Sequence, residues 1–112
     1  MDEPPLEITC QEVADALAVP MPGYLLIDCR EEDEHATVHI ASARLIPMSQ
    51  IAGRIGELEP FRQRRIAVHC HHGGRSLKVA LWLRSQGFSQ AQSMAGGIDQ
   101  WAQEIDRSLP RY

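Results

Sequence analysis

Short apolar runs alternate with amphipathic stretches along most of the chain. Tyr24-Leu25-Leu26-Ile27-Asp28 and Arg65-Ile66-Ala67-Val68-His69 are nearly continuous apolar runs, the pattern of parallel strands buried on both faces. Ala43 to Pro47 and Ala91 to Met94 predict two further short strands. Between these runs the spacing turns helical. Thr9-Cys10-Gln11-Glu12 has the form of a capping box, in which a Thr hydroxyl and a Glu carboxylate serve opposite orphan N–H groups. Val13, Ala16 and Leu17 then supply an apolar face, and Pro20 and Pro22 end the helix before a Pro22-Gly23 turn. The acidic run Glu31 to Glu34 predicts a short helix or turn with carboxylates at its N-terminus. Met48, Ile51, Ile55 and Leu58 recur at helical spacing, weakened by Gly53 and Gly56. The clearest helix is Arg75 to Gln86, with Leu77, Ala80, Leu81 and Leu83 on its apolar face and Gly87 at its end. After a Gly96-Gly97 turn, Ile98 to Ile105 forms a closing helix, with Trp82, Phe88 and Trp101 as packing residues. The alternation predicts an α/β fold with a mainly parallel central sheet flanked by helices. In such sheets sites gather at the carboxyl ends of strands, where Asp28, Arg30, Cys70 and Gly96 all fall.

Composition narrows the classes. The 112 residues fit a single domain over 1–112, with 1–6 as a flexible extension, and such a chain buries roughly two-thirds of its unfolded surface. Three cysteines, at positions 10, 29 and 70 with no Cys-x-x-Cys spacing, argue against a disulfide framework and against a cysteine zinc site. The acidic, proline-rich start is not a signal peptide, and no apolar stretch approaches the roughly 20 residues of a membrane span. A reducing, cytoplasmic setting is the expectation. The net charge of −4 hides an asymmetry: residues 1–34 hold ten acids and one base, whereas 35–95 hold two acids and eight bases. The basic segment suits a small anionic substrate or an acidic protein partner. Few aromatics and no dense basic run speak against nucleic acid. The oligomeric state is left open.

Cys70 lies where the apolar run 66–68 gives way to His71-His72-Gly73-Gly74-Arg75-Ser76 and then to the helix. A strand would thus deliver a thiol into a tight loop at a helix N-terminus, where N–H groups favour thiolate, the nucleophilic form. Gly73 and Gly74 let the backbone curl around the sulfur. Arg75 would either lower the Cys70 pKa and bind a donor oxyanion or pair with an acid to fix the loop. His71 and His72 would add positive potential at the loop mouth or stand in solvent, and no metal is expected, because adjacent histidines in a tight loop rarely converge on one ion. Asp28 and Arg30 are expected to form an ionic network behind the loop. His39 reads as a structural hydrogen-bonder, Cys10 as inert, and Cys29 as either a buried small apolar residue or a resolving thiol.

Four segments together resemble the single-domain rhodanese family. They are Leu26 to Arg30, with its Asp-x-Arg ending; His39-Ile40 through Ala43 with Ile46-Pro47; Cys70 to Ser76, which fits Cys-x-x-Gly-x-Arg-Ser; and Met94 to Ile98 with Trp101. Val38 and Ser42 stand where the family usually has glycine, so altered backbone is expected there. The ending from Glu104 to Tyr112 is similar to rhodanese domains fused to activating enzymes for ubiquitin-like sulfur carriers. The resemblance implies a three-layer rhodanese-like fold and a cofactor-free, rhodanese-type sulfurtransferase, in which Cys70 takes sulfur from a donor such as thiosulfate as a persulfide. Cyanide, a thiol or a protein would accept it, with residues 71–76 binding substrate. Two alternatives stay open. One is a sulfur-relay module for a protein partner with little small-molecule turnover. The other is a cysteine phosphatase or arsenate reductase, which places one more residue between Cys and Arg than the four found here.

Overall fold

The computed structural model describes residues 3–19 and 24–112. Along the chain run β1 (Glu7–Ile8), α1 (Cys10–Ala18), β2 (Leu25–Asp28), α2 (Glu32–Thr37), β3 (Arg44–Leu45), a 3-10 helix (Ile55–Phe61), β4 (Ile66–His69), α3 (Gly74–Ser85), β5 (Ala91–Met94) and α4 (Gly97–Glu104). The strands form one sheet in the order β1-β5-β4-β2-β3, and every pairing is parallel. The α/β fold read from the chain is therefore the observed one.

Alternation along the strands splits the core in two. Leu25, Ile27, Ile66, Val68, Cys29 and Cys70 face the layer that holds Leu58, Val79 and Leu83. Leu26, Ala67 and Met94 face the other layer, with Val13, Ile98 and Trp101. All residues of β2, β4 and β5 are buried, as a sheet covered on both faces requires. From β2 the chain leaves towards edge strand β3, and from β4 towards β5. This divergence opens a crevice at the carboxyl ends of β2 and β4, where Cys29-Arg30 and Cys70 emerge.

Several elements depart from the sequence reading. β1 pairs Glu7 with Ser93 and Ile8 with Met94, but two residues carry too little periodicity to predict a strand. From Pro4 onward the expected extension is held against the sheet: Arg84 Nη2 donates to the Pro4 carbonyl at 2.7 Å, and Gln92 Nε2 donates to that of Pro5 at 2.9 Å. The stop signals Pro20 and Pro22 and the Pro22-Gly23 turn lie outside the described residues. In α1 the Glu12 N–H bonds to Thr9 Oγ1 at 3.0 Å; the Glu12 carboxylate accepts from the Thr9 hydroxyl, and Ala14 rather than Ala16 packs beside Leu17. The segment from Met48 turns without regular helix and tightens only at Ile55–Phe61, because two glycines weaken its start and Pro60 interrupts its end. α3 buries Ser76, Val79, Ala80 and Leu83, with Leu81 pointing outward. Val38, in place of a glycine, has an extended φ of −161°. No described residue other than glycine has positive φ, so neither Val38 nor Ser42 demands the backbone that glycine alone adopts.

Candidate active site

Cys70 is the first residue beyond β4, and the loop from 71 to 73 carries the chain into α3. Gly73 takes φ +116°, a left-handed conformation that favours glycine, and this turns its N–H onto the Cys70 sulfur at 3.1 Å. The Ser76 N–H, in the first turn of α3, reaches the same sulfur at 3.4 Å, and Ser76 Oγ lies 3.5 Å from it. The loop is pinned from outside by α4: Ile98 N–H donates to the Cys70 carbonyl at 2.9 Å and Asp99 N–H to the His71 carbonyl at 3.1 Å. That approach requires Gly97, whose φ is +60° and whose absent Cβ would fall against both carbonyls.

Two groups behind the sulfur join from other strands. Cys29 follows β2 as Cys70 follows β4, and its buried thiol belongs to the same core cluster as the Cys70 sulfur. Ser93, buried on β5, lies 2.8 Å from Ser76 Oγ. With Ser93 donating to Ser76, the single Ser76 proton lies between the Gly73 carbonyl, at 3.1 Å from Ser76 Oγ, and the Cys70 anion, so the two hydroxyls and the sulfur form a relay. The neighbouring Cys29 thiol, together with hydrogen bonds from the Ser76 side chain and backbone and the Gly73 N–H, brings the Cys70 thiol from 9.0 to about 4 against the opposing effect of burial. Cys70 is thus a thiolate at neutral pH. Cys29 moves the other way, its proton held by the Cys70 anion and by burial. Burial, then the Glu104 charge, pushes the Cys10 thiol up to about 11, which leaves it inert.

Arg75 points at Glu34 on α2, with Nη1 and Nη2 at 2.7 and 2.8 Å from the two carboxylate oxygens. The Arg75 partner brings the Glu34 carboxyl from 4.5 to about 2 against burial, helped by the N–H of Glu31 and the hydroxyl of Tyr112. Of the two roles open to Arg75, the structure shows the acid-paired one. Asp28 and Arg30 make a fully buried fork at 2.9 and 2.7 Å; Arg30 also donates to the Val38 carbonyl at 2.7 Å and to the Tyr112 hydroxyl at 2.9 Å. His69, on the sheet face away from Cys70, is buried with its Nε2 3.9 Å from Asp28.

Gly74 opens α3 at the surface. His71 is half-buried between two rings, with centroids 3.8 Å from Tyr112 and 3.9 Å from His72. His72 is exposed, 3.8 Å from Asp99. His71, His72 and Asp99 each bring one ligand atom within 4.8 Å of one another. The two rings stack, and Asp99 is already bonded to Arg111 at 2.9 Å. His39 Nδ1 donates locally, to the His35 carbonyl at 3.0 Å.

Glu34, Ser93, Tyr112 and Gly97 complete this arrangement although sequence reasoning did not single them out as site residues. The acidic run marked Glu34 as a helix-start carboxylate, but not as the partner of Arg75. Nothing local distinguishes Ser93 or Tyr112.

A family model described as Rhodanese-like domain matches residues 9–104. The chain is 32% identical over 116 residues to the Rhodanese-like/PpiC domain-containing protein 12, chloroplastic, of Arabidopsis thaliana, covering 98% of this chain and 38% of that protein. It is 33% identical over 88 residues to the thiosulfate sulfurtransferase GlpE of Pseudomonas fluorescens, covering 77% of each. Among solved structures, a rhodanese-like domain protein from Staphylococcus aureus superposes with a TM-score of 0.79 at 28% identity, over 100% of this chain and 99% of that one. No helix among the described residues is long and apolar enough to cross a membrane.

Proposed function

The chain belongs to the rhodanese-like family of sulfurtransferase-related domains, and from that premise we propose that it carries sulfane sulfur as a persulfide on Cys70. One observation carries the proposal: a buried thiolate faced by two N–H groups at the base of a four-residue loop. The Cys70 thiolate attacks the outer sulfur of a donor such as thiosulfate; the S–S bond of the donor breaks, and sulfite leaves with the electron pair. The new terminal sulfur carries the negative charge. The positive end of α3 and the loop N–H groups stabilise that anion without charge of their own. An acceptor such as cyanide then takes the outer sulfur as thiocyanate and returns the thiolate. In this cycle Arg75 holds the loop shape through Glu34, and Asp28 with Arg30 anchors the neighbouring strand end. His71 and His72 line the mouth and favour an anionic donor. Free thiols at Cys10, Cys29 and Cys70 accord with a reducing, cytoplasmic setting.

The phosphatase reading finds less support. Its chemistry needs an acid for the leaving group, whereas Asp28 is spent on Arg30, Glu34 on Arg75 and Asp99 on Arg111. Brief exposure to thiosulfate should release one sulfite per chain and add the mass of one sulfur, both abolished in Cys70→Ser, and cyanide should discharge the sulfur as thiocyanate. A wild type that releases no sulfite, or that hydrolyses p-nitrophenyl phosphate faster than it transfers sulfur, would refute the proposal.

A further inference from the structure

Cys29 and Cys70 occupy matching places on adjacent strands. Asp28 and His69 are register partners, and Cys29 N–H donates to the His69 carbonyl at 3.0 Å, so the two cysteines take the next rung of the ladder. By strand alternation their side chains fall on one face, and both belong to the same core cluster, 0% and 1% exposed. Neighbouring strands lie about 4.8 Å apart, inside the roughly 4.4–6.8 Å that a disulfide spans between Cα atoms. The Cys29 carbonyl is fixed by Met48 N–H at 2.9 Å, which holds the residue in this position. Gly73 and Ser76 approach the Cys70 sulfur from the loop and α3, whereas Cys29 approaches from β2. An outer sulfur held by the loop N–H groups and an attacking Cys29 thus come to Cys70 Sγ from different elements, the loop with α3 on one hand and the end of β2 on the other.

Resting on the sulfurtransferase reading above, we propose that Cys29 is a second reacting thiol, which expels the outer sulfur of the Cys70 persulfide as sulfide and closes a Cys29–Cys70 disulfide. The Cys29 Sγ–Cys70 Sγ bond forms, the bond from Cys70 Sγ to the outer sulfur breaks, and the Cys29 proton leaves with that sulfur as hydrosulfide. Persulfide anion and thiol become disulfide and HS−, so the sulfane sulfur is itself the oxidant. A dithiol reductant restores both thiols by exchange. The step is gated by charge. While Cys70 is an anion, its charge beside Cys29 holds the Cys29 proton in place and Cys29 is no nucleophile; once Cys70 Sγ is bonded to the outer sulfur, that hold is gone. Burial keeps external thiols away from this side of Cys70, so the competitor for the sulfur is an acceptor entering at the loop mouth.

Wild type and Cys29→Ser, which keeps a hydroxyl donor beside Cys70, are loaded with thiosulfate without acceptor, desalted, and followed for sulfide and intact mass. Wild type should release one sulfide for each sulfite and settle at the reduced mass less two hydrogens. Of its three free thiols, Cys10 alone should then alkylate after denaturation. Cys29→Ser, slower to load because the thiolate loses the Cys29 thiol beside it, should retain one sulfur for each sulfite it releases and form no sulfide. A wild type that loads and holds its sulfur, or a Cys29→Ser that yields sulfide at the wild-type rate, overturns the proposal. No sulfite from wild type overturns the sulfurtransferase reading itself. Should Cys29→Ser not fold, peptide mapping of wild type decides: a Cys29–Cys70 cross-link supports the step, and a Cys70 link to Cys10 or to another chain overturns it.

Discussion

A sulfur with a pKa of about 4 is ionised throughout the neutral range, and its reactivity should follow that fraction. Alkylation of Cys70 by iodoacetamide should be flat above pH ~5 and fall below it as the thiolate is protonated. Ser93→Ala should move this midpoint upward by about half to one unit, the worth of one neutral hydrogen bond, although Ser93 does not touch the sulfur. Ser93→Thr, which keeps the hydroxyl, should restore it. An unmoved Ser93→Ala profile would remove Ser93 from the relay. Gly97 is the other residue whose role is a matter of contact: Gly97→Ala must place a Cβ against the Cys70 and His71 carbonyls at a left-handed φ. It should cost more than about 2 kcal/mol in urea unfolding.

Elements divide by how they hold the loop. α2 contributes only six residues, yet its Glu34 ties it to α3 through Arg75. The Glu34 carboxyl lies at about 2 against 4.5 when free, so its contribution to stability is complete above pH ~4.5 and fades as pH falls towards 2. Glu34→Gln should flatten that acid limb, by about 1–2 kcal/mol once the partial exposure of Arg75 is allowed for. Urea midpoints between pH 2 and 7 measure it. The sequence made the strands legible where they are buried on both faces: β2 and β4 are nearly continuous apolar runs, and β2, β4 and β5 differ by at most one residue from their predicted limits. It made Cys70, the glycines and Arg75 legible because they share one loop. The face of α3 was harder, since Ser76 is buried for its bonds to Gly73 and Ser93 rather than for apolarity, while Leu81 is left outside. Glu34 lies 41 residues from Arg75 and Ser93 17 from Ser76, distances over which no local pattern carries pairing.

For the whole molecule, five parallel strands make stability uneven. β2, β4 and β5 are paired on both sides and covered on both faces, whereas β1 and β3 are two-residue edges. Native-state hydrogen exchange should find the slowest amides in β2, β4 and β5, and the fastest strand amides in β1 and β3. Equal protection across the sheet would contradict this. The pinning of the loop by α4 bears on catalysis as well as on shape. Because Ile98 and Asp99 take up the carbonyls of Cys70 and His71, the ordering entropy of the cradle is spent when the chain folds, before any donor arrives. Incoming charge therefore meets dipoles already aligned, with little reorganisation left to oppose transfer. Sulfur loading should then have an activation entropy near zero and lose its rate when the last helix frays, ahead of global unfolding.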